Sequence, residues 1–528
     1  MLRLVDTELF VTKGSSSITH VVIQDLALTL QRCGAEKHRT QALRLHFYLL
    51  IHGLDTHHVL GNYLVPMLVD AATLPLAHRA FLRLPHPNAF SWNSLISGYL
   101  KCDKPHHALS MFARLQSNPS VHPDDYTFIS AFKACAQLKD LARACVLHAE
   151  VVRSGLLEKN LIVANALIDM YSKCGASTNA KQVFDRLPLK NVVTWTSLLG
   201  AYAECGQYQE AMACYQEMEL QGVIPNPITL VCILKACTSA RDIAKGQEMY
   251  AEIERRSLLD DDVFLGSAVV DMYAKHGLLS MAQQVFDRLR SRNVVSWNSL
   301  MLGYIDHENG EEAVKCFSQM QSEGLCLTDV SFLCGLKACG SIGSVEKLED
   351  IHAEIDRTGL LQRNILVGST LVNMYAKCGS LARAQHVFDH LPVRDVVAWT
   401  ALLAGYAQAG ESKSAADFFD KMVGAGVKPD PIAFVVVLNA CSRRGLSNKS
   451  ETYFQAMGKE HGIVPIREHH SCILDLLVRI GQLDKAVAMI RQLPCGPNLV
   501  MWRTVLGACM SLGNSKVGKQ AFEQQYTL

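Results

Sequence analysis

Two His-x-Glu segments, His148–Glu150 and His352–Glu354, contain the residue types that zinc-dependent deamination of a nucleobase requires. That chemistry also requires a Cys-x-x-Cys pair further along the chain, because two thiolates complete the zinc site. None of the 18 cysteines has this spacing, and the sequence has no phosphate-binding loop, dinucleotide fingerprint or Gly-x-Ser-x-Gly element. We therefore expect no catalytic residues, no metal site, no cofactor and no enzymatic activity.

The two segments occupy equivalent places in an internal repeat, which must position any functional residue. The tryptophans recur at steps of 102 or 103 residues: Trp92, Trp195, Trp297, Trp399 and Trp502. Four cysteines recur at steps of 102 residues: Cys135, Cys237, Cys339 and Cys441. Independent markers with one period indicate a repeat architecture rather than separate globular domains.

Each block of about 102 residues divides into three units, and each unit has the pattern of a helix, a turn and a second helix. In the unit 263–293, Gly277 is expected to end the first helix in a left-handed conformation. Valine pairs such as Val192–Val193 open helices at a fixed register, so we do not expect strands. Single hairpins cannot bury their apolar faces, whereas stacked neighbours can. The sequence predicts an all-α fold, a right-handed superhelical solenoid of about 14 helix-turn-helix repeats.

Composition limits the function classes. Apolar residues make up 49% of the chain and charged residues 19%, which excludes a disordered chain. The net charge of +1 excludes strong overall attraction to nucleic acid but leaves local basic strips open. No apolar run approaches the length of a membrane span, so we expect no membrane partner. The cysteines are expected to be small buried hydrophobes in a reducing compartment.

The unit lengths and the recurring segments MYSKCG (170–175), MYAKHG (272–277) and MYAKCG (374–379) resemble the pentatricopeptide repeat (PPR) family. The alternation of 35, 36 and 31 residues is similar to its plant subfamily of P, L and S units. This resemblance implies three segments: 1–21, a possible targeting segment; 22–498, the repeat array; and 499–528, a partial E-type extension. The units are then 22–57 (L), 58–88 (S), 89–124 (P), 125–160 (L), 161–191 (S), 192–226 (P), 227–262 (L), 263–293 (S), 294–328 (P), 329–364 (L), 365–395 (S), 396–430 (P), 431–466 (L) and 467–498 (S).

Two units depart from the family pattern. The unit 58–88 has Pro66 inside its first helix and the residues 71–73, Ala-Ala-Thr, where a turn glycine is usual. The unit 294–328 has Glu308 where Gly206 and Gly410 stand in its siblings. Contacts made by these two units are therefore harder to infer from the resemblance.

The resemblance assigns the reading of RNA bases to the fifth and last residues of P and S units. The fifth residues are Asn62, Asn93, Asn165, Thr196, Ser267, Asn298, Ser369, Thr400 and Ser471. The last residues are Asn88, Asp124, Asn191, Asn226, Asn293, Thr328, Asp395, Asp430 and Asn498. All are small and polar. The fifth residues of L units are apolar, so we expect L units to act as spacers: Leu26, Ile129, Val231, Leu333 and Val435.

An alternative interpretation is purely structural. Asn and Ser near a helix start are usually caps, and Asp or Asn at the end of a unit is often part of a turn. The lysines at the thirteenth place of their units leave the same choice open between phosphate contacts and ordinary solvated residues near a helix end. They are Lys101, Lys173, Lys275 and Lys377.

The resemblance implies sequence-specific binding of a single-stranded organellar RNA, in a mitochondrion or chloroplast. The leading hypothesis is a specificity factor for C-to-U editing, with a deaminase or editing accessory protein supplied in trans. The alternatives are RNA stability, splicing or translation without editing, or a peptide-binding scaffold. In similar proteins Asn with Asp selects U, Asn with Asn selects C, and Thr or Ser selects A with Asn and G with Asp. This rule predicts 5′-C-U-N-C-A-N-A-Y-N-G-G-N-A-3′.

Overall fold

The computed structural model describes residues 20–36, 38–259, 262–491, 493 and 499–525. Within these residues all regular structure is helical. The α-helices are α1 (His20–Glu36), α2 (Arg39–Ile51), α3 (Leu60–Asp70), α4 (Leu74–Arg83), α5 (Ala89–Lys101), α6 (Pro105–Gln116), α7 (Asp125–Leu138), α8 (Leu141–Ser154), α9 (Leu156–Lys159), α10 (Leu161–Lys173), α11 (Ser177–Arg186), α12 (Val192–Glu204), α13 (Tyr208–Leu220), α14 (Pro227–Ala240), α15 (Ile243–Arg255), α16 (Val263–Lys275), α17 (Leu279–Arg288), α18 (Val294–Asp306), α19 (Gly310–Ser322), α20 (Asp329–Ile342), α21 (Val345–Thr358), α22 (Ile365–Lys377), α23 (Leu381–His390), α24 (Val396–Gln408), α25 (Ser412–Gly424), α26 (Pro431–Arg444), α27 (Ser447–Lys459), α28 (Arg467–Arg479), α29 (Leu483–Arg491), α30 (Leu499–Leu512) and α31 (Ser515–Gln525). A 3-10 helix, Leu360–Gln362, follows α21.

The helices pair into hairpins, which confirms the all-α repeat fold. In the unit 263–293, α16 and α17 are joined at Gly277, whose φ of 76° is the left-handed conformation expected of a helix-ending glycine. The valine pairs open α12, α18 and α24, as predicted, and form no strands among the described residues. The chain divides into two compact units, Met1–Leu258 and Leu259–Leu528, each built from successive hairpins.

The 102-residue step becomes a repeated packing contact. The phenylalanine at the end of an S unit lies edge-on to the tryptophan of the P unit that follows, with ring centroids 4.5–4.8 Å apart. These pairs are Phe81–Trp92, Phe184–Trp195, Phe286–Trp297 and Phe388–Trp399. Such aromatic contacts bury a large apolar area in a defined geometry. They fix each P unit on its preceding S unit at the same register every time.

The two departures noted in the sequence have structural consequences. Ala72 and Glu308 take left-handed φ angles of 56° and 61°, so these turns form without glycine. A side chain in this conformation costs energy that a glycine avoids. Pro66 lies inside α3, which begins at Leu60, two residues after the start of its unit. This late start changes the surroundings of Asn62.

The ends of the chain are described in part. Residues 1–19 of the expected targeting segment lie outside the described residues. In the segment 499–528, α30 and α31 form a further hairpin, with Trp502, Val505 and Val517 buried in one cluster with Leu483 and Ile490. Whether this hairpin is an E-type extension stays a prediction.

Candidate nucleic-acid interface

The last residue of every P and S unit whose end the structure describes caps the helix that follows. In each case a side-chain oxygen accepts a hydrogen bond from the backbone N–H three residues further on. The residues are Asn88, Asp124, Asn191, Asn226, Asn293, Thr328, Asp395 and Asp430. Asn498 lies outside the described residues. The capping interpretation is therefore correct for these eight side chains.

Capping uses only one of the two polar atoms of an asparagine or aspartate. In Asn226, Oδ1 accepts from the Thr229 N–H at 2.8 Å and from the Thr229 hydroxyl at 2.9 Å. Both lone pairs of Oδ1 are thereby occupied, and Nδ2 remains as a donor. In Asp430, Oδ1 accepts from the Ala433 N–H at 2.7 Å, and Oδ2 remains as an acceptor. The cap thus fixes the side chain while it leaves a donor in Asn and an acceptor in Asp.

The fifth residues of P and S units are not caps, because they lie one turn inside the first helix of their unit. Four of their hydroxyls donate to the backbone carbonyl four residues earlier: those of Thr196, Ser267, Ser369 and Ser471. Most fifth residues are buried: Asn62, Thr196, Ser267, Asn298, Ser369 and Thr400. Asn93 and Asn165 are half-buried, and Ser471 is exposed.

The structure brings most of the sequence-predicted pairs into contact. Side-chain hydrogen bonds of 2.7–3.5 Å join five fifth residues to the last residues of their own units: Asn93–Asp124, Ser267–Asn293, Asn298–Thr328, Ser369–Asp395 and Thr400–Asp430. Thr196 instead contacts the Thr229 hydroxyl at 2.7 Å, and Thr229 in turn donates to Asn226. Fifth and last residues, 26–31 positions apart in sequence, therefore form one site.

Sequence reasoning missed a second row of residues. The second residue of most units is a large apolar side chain that remains exposed on its helix: Phe90, Tyr126, Ile162, Val193, Ile228, Phe264, Val295, Val330, Leu366, Val397, Ile432 and Val500. The signal in the sequence is an apolar residue that recurs at a fixed register three places before each fifth residue. Glu468 breaks this row in the last S unit. Exposed apolar or aromatic side chains beside the polar pairs offer surfaces on which bases can stack.

The ends of L units differ from those of P and S units. Asn160 caps α10 through the N–H of Ile162, only two residues further on, with ψ of 103°. Its Nδ2 donates to Asp125 at the start of the same unit. Asn364 caps both Leu366 and Val367, and its Nδ2 likewise donates to a carboxylate at the start of its unit, with 2.7 Å to Asp329 Oδ2. Both polar atoms of these asparagines are engaged within the protein.

The thirteenth-place lysines all lie in the last turn of a helix, as both interpretations require. Lys173 pairs with Asp169 and Lys275 with Asp271, each at 2.8 Å. Lys101 lies 3.6 Å from an Asp70 carboxylate oxygen on α3. For Lys377 the residue four places earlier is Asn373, and Lys377 forms no ion pair among the described residues.

The residues with other possible chemistry pack between hairpins. His148 lies 2.9 Å from the Tyr171 hydroxyl and His352 3.1 Å from the Tyr375 hydroxyl, and burial lowers the pKa of both histidines. No cluster of three metal-ligating side chains occurs in the part of the chain that the structure describes. The searched helices include none with the length and apolarity needed to cross a membrane.

The recurring cysteines are buried, as expected. Burial raises the pKa of the thiols of Cys135, Cys237 and Cys339 to about 12 and that of Cys441 to about 11. A thiol with such a pKa stays protonated at neutral pH and is inert. Cys102, Cys145 and Cys326 are exposed and depart from this expectation.

Comparison with known proteins gives matches along most of the chain. The model of the PPR repeat family matches residues 87–137, 190–239, 292–341 and 394–443. The PPR repeat model matches residues 162–192 and 267–294. A pentatricopeptide repeat-containing protein of Arabidopsis thaliana is 31% identical over 94% of this chain and 62% of its own length. A putative pentatricopeptide repeat-containing protein and a mitochondrial one from the same plant are each 31% identical. These two alignments cover 98% and 88% of this chain, and 73% and 84% of the relatives.

Solved structures share the fold. The crystal structure of the pentatricopeptide repeat protein PPR10 from maize has a TM-score of 0.53 and 16% identity. The alignment covers 96% of this chain and 90% of the maize chain. The same protein in complex with an 18-nt psaJ RNA element has a TM-score of 0.50, also at 16% identity, and covers 95% of this chain and 84% of its own.

Proposed function

The chain belongs to the pentatricopeptide repeat family, and from this premise we propose that it binds single-stranded RNA and reads one base with each pair of fifth and last residues. One observation carries the proposal. In last residues such as Asn226 and Asp430, one polar atom caps the next helix and the other remains for a ligand, near an exposed apolar side chain. Maize PPR10, which shares the fold, is known in complex with RNA.

The side-chain polar atom that is not used in capping differs between Asn and Asp, and this difference accounts for the different bases that we assign to them. On their Watson–Crick edges, adenine and cytosine present an unprotonated ring nitrogen, whereas guanine and uracil present a ring N–H. The remaining Nδ2 of Asn226 therefore suits A or C, and the remaining Oδ2 of Asp395 or Asp430 suits G or U. The fifth residue then chooses between a purine and a pyrimidine.

The proposed target follows the order of the units in the chain. In the unit Met1–Leu258, Asn62/Asn88, Asn93/Asp124, Asn165/Asn191 and Thr196/Asn226 give C-U-N-C-A. The L unit 227–262 adds N, and in the unit Leu259–Leu528 the pairs Ser267/Asn293, Asn298/Thr328, Ser369/Asp395 and Thr400/Asp430 give A-Y-N-G-G. The last S unit adds N-A through Ser471 and Asn498. L units contribute an unread base N, because their fifth residues are apolar and the amides of Asn160 and Asn364 bind carboxylates.

We further propose an organellar transcript as the target and C-to-U editing as the process. The similarity to the plant P, L and S subfamily supports editing, and a mitochondrial relative supports an organelle. Both His-x-Glu histidines pack against tyrosines. Because these histidines pack between helices, we propose that another protein supplies the deaminase. We expect that the purified chain does not deaminate RNA unaided. The edited C would lie a few nucleotides 3′ of the bound segment.

Binding to labelled RNA tests the proposal. The full chain is titrated into 5′-CUNCANAYNGGNA-3′, with one base fixed at each N and Y, and into an RNA of the same composition in permuted order. Each good base contact contributes roughly 1–3 kcal/mol, so we expect the permuted RNA to bind at least about tenfold more weakly. Equal binding of both RNAs at fixed salt would contradict base reading. Sequencing RNA crosslinked to the protein in purified organelles would then identify the transcript.

A further inference from the structure

Two pairs in the first compact unit have identical residues but different hydrogen bonding. Asn62/Asn88 and Asn165/Asn191 are both Asn/Asn, so a rule based on residue types alone assigns cytosine to both. Asn62 is buried, whereas Asn165 is half-buried. The comparison isolates the effect of the surroundings, because the side chains are the same.

The amide of Asn62 is saturated. Its Oδ1 accepts from the Ser91 hydroxyl at 2.6 Å and from the Asn88 N–H at 2.9 Å. Its Nδ2 donates to the carbonyls of His58 at 2.6 Å and His86 at 3.2 Å. An asparagine amide has two donor hydrogens and two acceptor lone pairs, and all four are used here. No capacity remains in Asn62 to recognise a base.

The two sites also differ in the start of their helix. Helix α3 begins at Leu60, so the His58 carbonyl that accepts from Asn62 precedes the helix. In the other pair, α10 begins at Leu161, the first residue of its unit. The saturation of Asn62 arises from its four partners together, which the residue types of the pair do not reveal.

The amide of Asn165, unlike that of Asn62, is not saturated with hydrogen bonds. Its Oδ1 is buried and has no hydrogen-bond partner among the described residues. Thr194, which corresponds in position to Ser91, donates instead to Asn191 Oδ1 at 3.0 Å. Asn191 Oδ1 also accepts from the Thr194 N–H at 2.9 Å, which leaves Asn191 Nδ2 as a donor. The pair thus keeps one unused acceptor and one unused donor, which match the exocyclic amine and the ring nitrogen of cytosine.

A cavity of about 840 Å³ lies beside the saturated Asn62. Tyr63 and Phe90 line it with their rings 6.5 Å apart at 64°, and Phe90 is more than half exposed. His58 and His86 complete its polar rim. Aromatic rings stack on any base, because every base has a π face, and such stacking does not depend on sequence.

We propose that this cavity is a base-stacking site that takes A and C alike, whereas Asn165/Asn191 selects cytosine. The inference rests on the proposed RNA binding and refines it. The first base of the target is held by Phe90 and Tyr63, and Asn88, whose Oδ1 caps the Ser91 N–H, keeps its Nδ2 as the only donor that reads it. Ser91 is the positioning residue that silences Asn62, because its hydroxyl occupies the Asn62 carbonyl.

The test compares the same base changes at two positions of one RNA. The first or the fourth C of 5′-CUNCANAYNGGNA-3′ is replaced in turn by A, G and U, and binding to the full chain is measured. Replacement by A should change the affinity less than twofold at the first position and lower it about tenfold or more at the fourth, whereas G and U should weaken binding at both positions. Equal losses for A at the two positions would overturn this inference alone, whereas no loss for any replacement at either position would overturn base reading itself.

Two variants and a matched control identify the cause. Ser91→Ala frees one lone pair of Asn62 Oδ1, so a preference for C should appear at the first position. Phe90→Ala should weaken binding of all four first bases to the same degree, roughly tenfold for a lost stacking contact. Thr194→Val removes the corresponding hydroxyl in the other pair and should leave the response to the first base unchanged, because Thr194 binds Asn191 and belongs to the site of the fourth base. If Ser91→Ala and the parent chain respond alike to the first base, and folding is intact by circular dichroism, Ser91 does not silence the pair.

Discussion

Asn160 and Asn191 are the same residue at the same place, the last position of adjacent units, and both cap a helix. At Asn160, which ends an L unit, ψ is 103° and the cap reaches the second N–H of the helix. At Asn191, which ends an S unit, ψ is 176° and the cap reaches the third N–H. The remaining amide of Asn160 binds Asp125, whereas that of Asn191 stays available to a ligand.

This difference shows that residue type does not determine function at these positions. With the ψ of about 103° found at L-unit ends the oxygen reaches the second N–H of the helix, and the neighbour decides whether the second polar atom is already bound. An L-unit asparagine is therefore a structural cap, while an S-unit asparagine can be a cap and a base contact together. The following predictions separate these two states.

The largest effect is expected from Asp430→Asn. The substitution keeps the cap on Ala433 but replaces the remaining acceptor by a donor. The preference opposite Thr400 should therefore move from G to A, with a change of about tenfold or more in the ratio of the two affinities. Binding of the full chain to RNAs that differ only at that base measures the change.

Asp262→Asn is the matched control for this prediction. Asp262 ends an L unit, caps the N–H groups of Phe264 and Leu265, and belongs to a unit whose fifth residue is Val231. The same chemical change should leave the base preference within about twofold of the parent, a ratio that corresponds to under ~0.5 kcal/mol. If both variants shift the preference, or neither does, the distinction between L-unit ends and P-unit ends is wrong.

The sequence was sufficient to predict the hairpins and most of the pairs. The 102-residue step of the tryptophans requires one packing contact to recur, and the structure shows it at Trp92, Trp195, Trp297 and Trp399. Fifth and last residues such as Ser369 and Asp395 meet because successive hairpins stack in register. A period is a long-range pattern, and it survives local variation in individual units.

The sequence was not sufficient to predict which pairs are able to read a base. The saturation of Asn62 depends on four partners outside the pair's side chains, and the engagement of Asn160 depends on its contact with Asp125. Both are local contacts that the types of the fifth and last residues do not encode. The exposed second residues are hard to predict for another reason: an apolar side chain at helical spacing is usually buried, although Tyr126 and Phe264 are exposed.

A smaller effect is expected at the lysines, where the comparison is between paired and unpaired side chains. Lys377→Ala should weaken binding of all RNA sequences alike and reduce the slope of log affinity against log salt by about one, as loss of one phosphate contact does. Lys275→Ala should reduce the slope less, because Asp271 already neutralises Lys275. Equal slopes for the two variants in a salt titration would show that neither lysine, or both, contacts phosphate.

The smallest effect is expected at Ile466, an L-unit end that has the backbone of a P- or S-unit end, with ψ of 172°. Isoleucine has no side-chain oxygen, and the side chain of Ile466 forms no cap on α28. Ile466→Asn should add a cap and raise the free energy of unfolding by about 1 kcal/mol, measured as a shift in the urea midpoint. It should add no base preference, because the fifth residue of the unit is Val435 and a polar partner is missing. A gain of preference for A or C would show that a last residue with this backbone conformation reads a base without a polar fifth residue. The apolar fifth residues would then not explain why L units select no base.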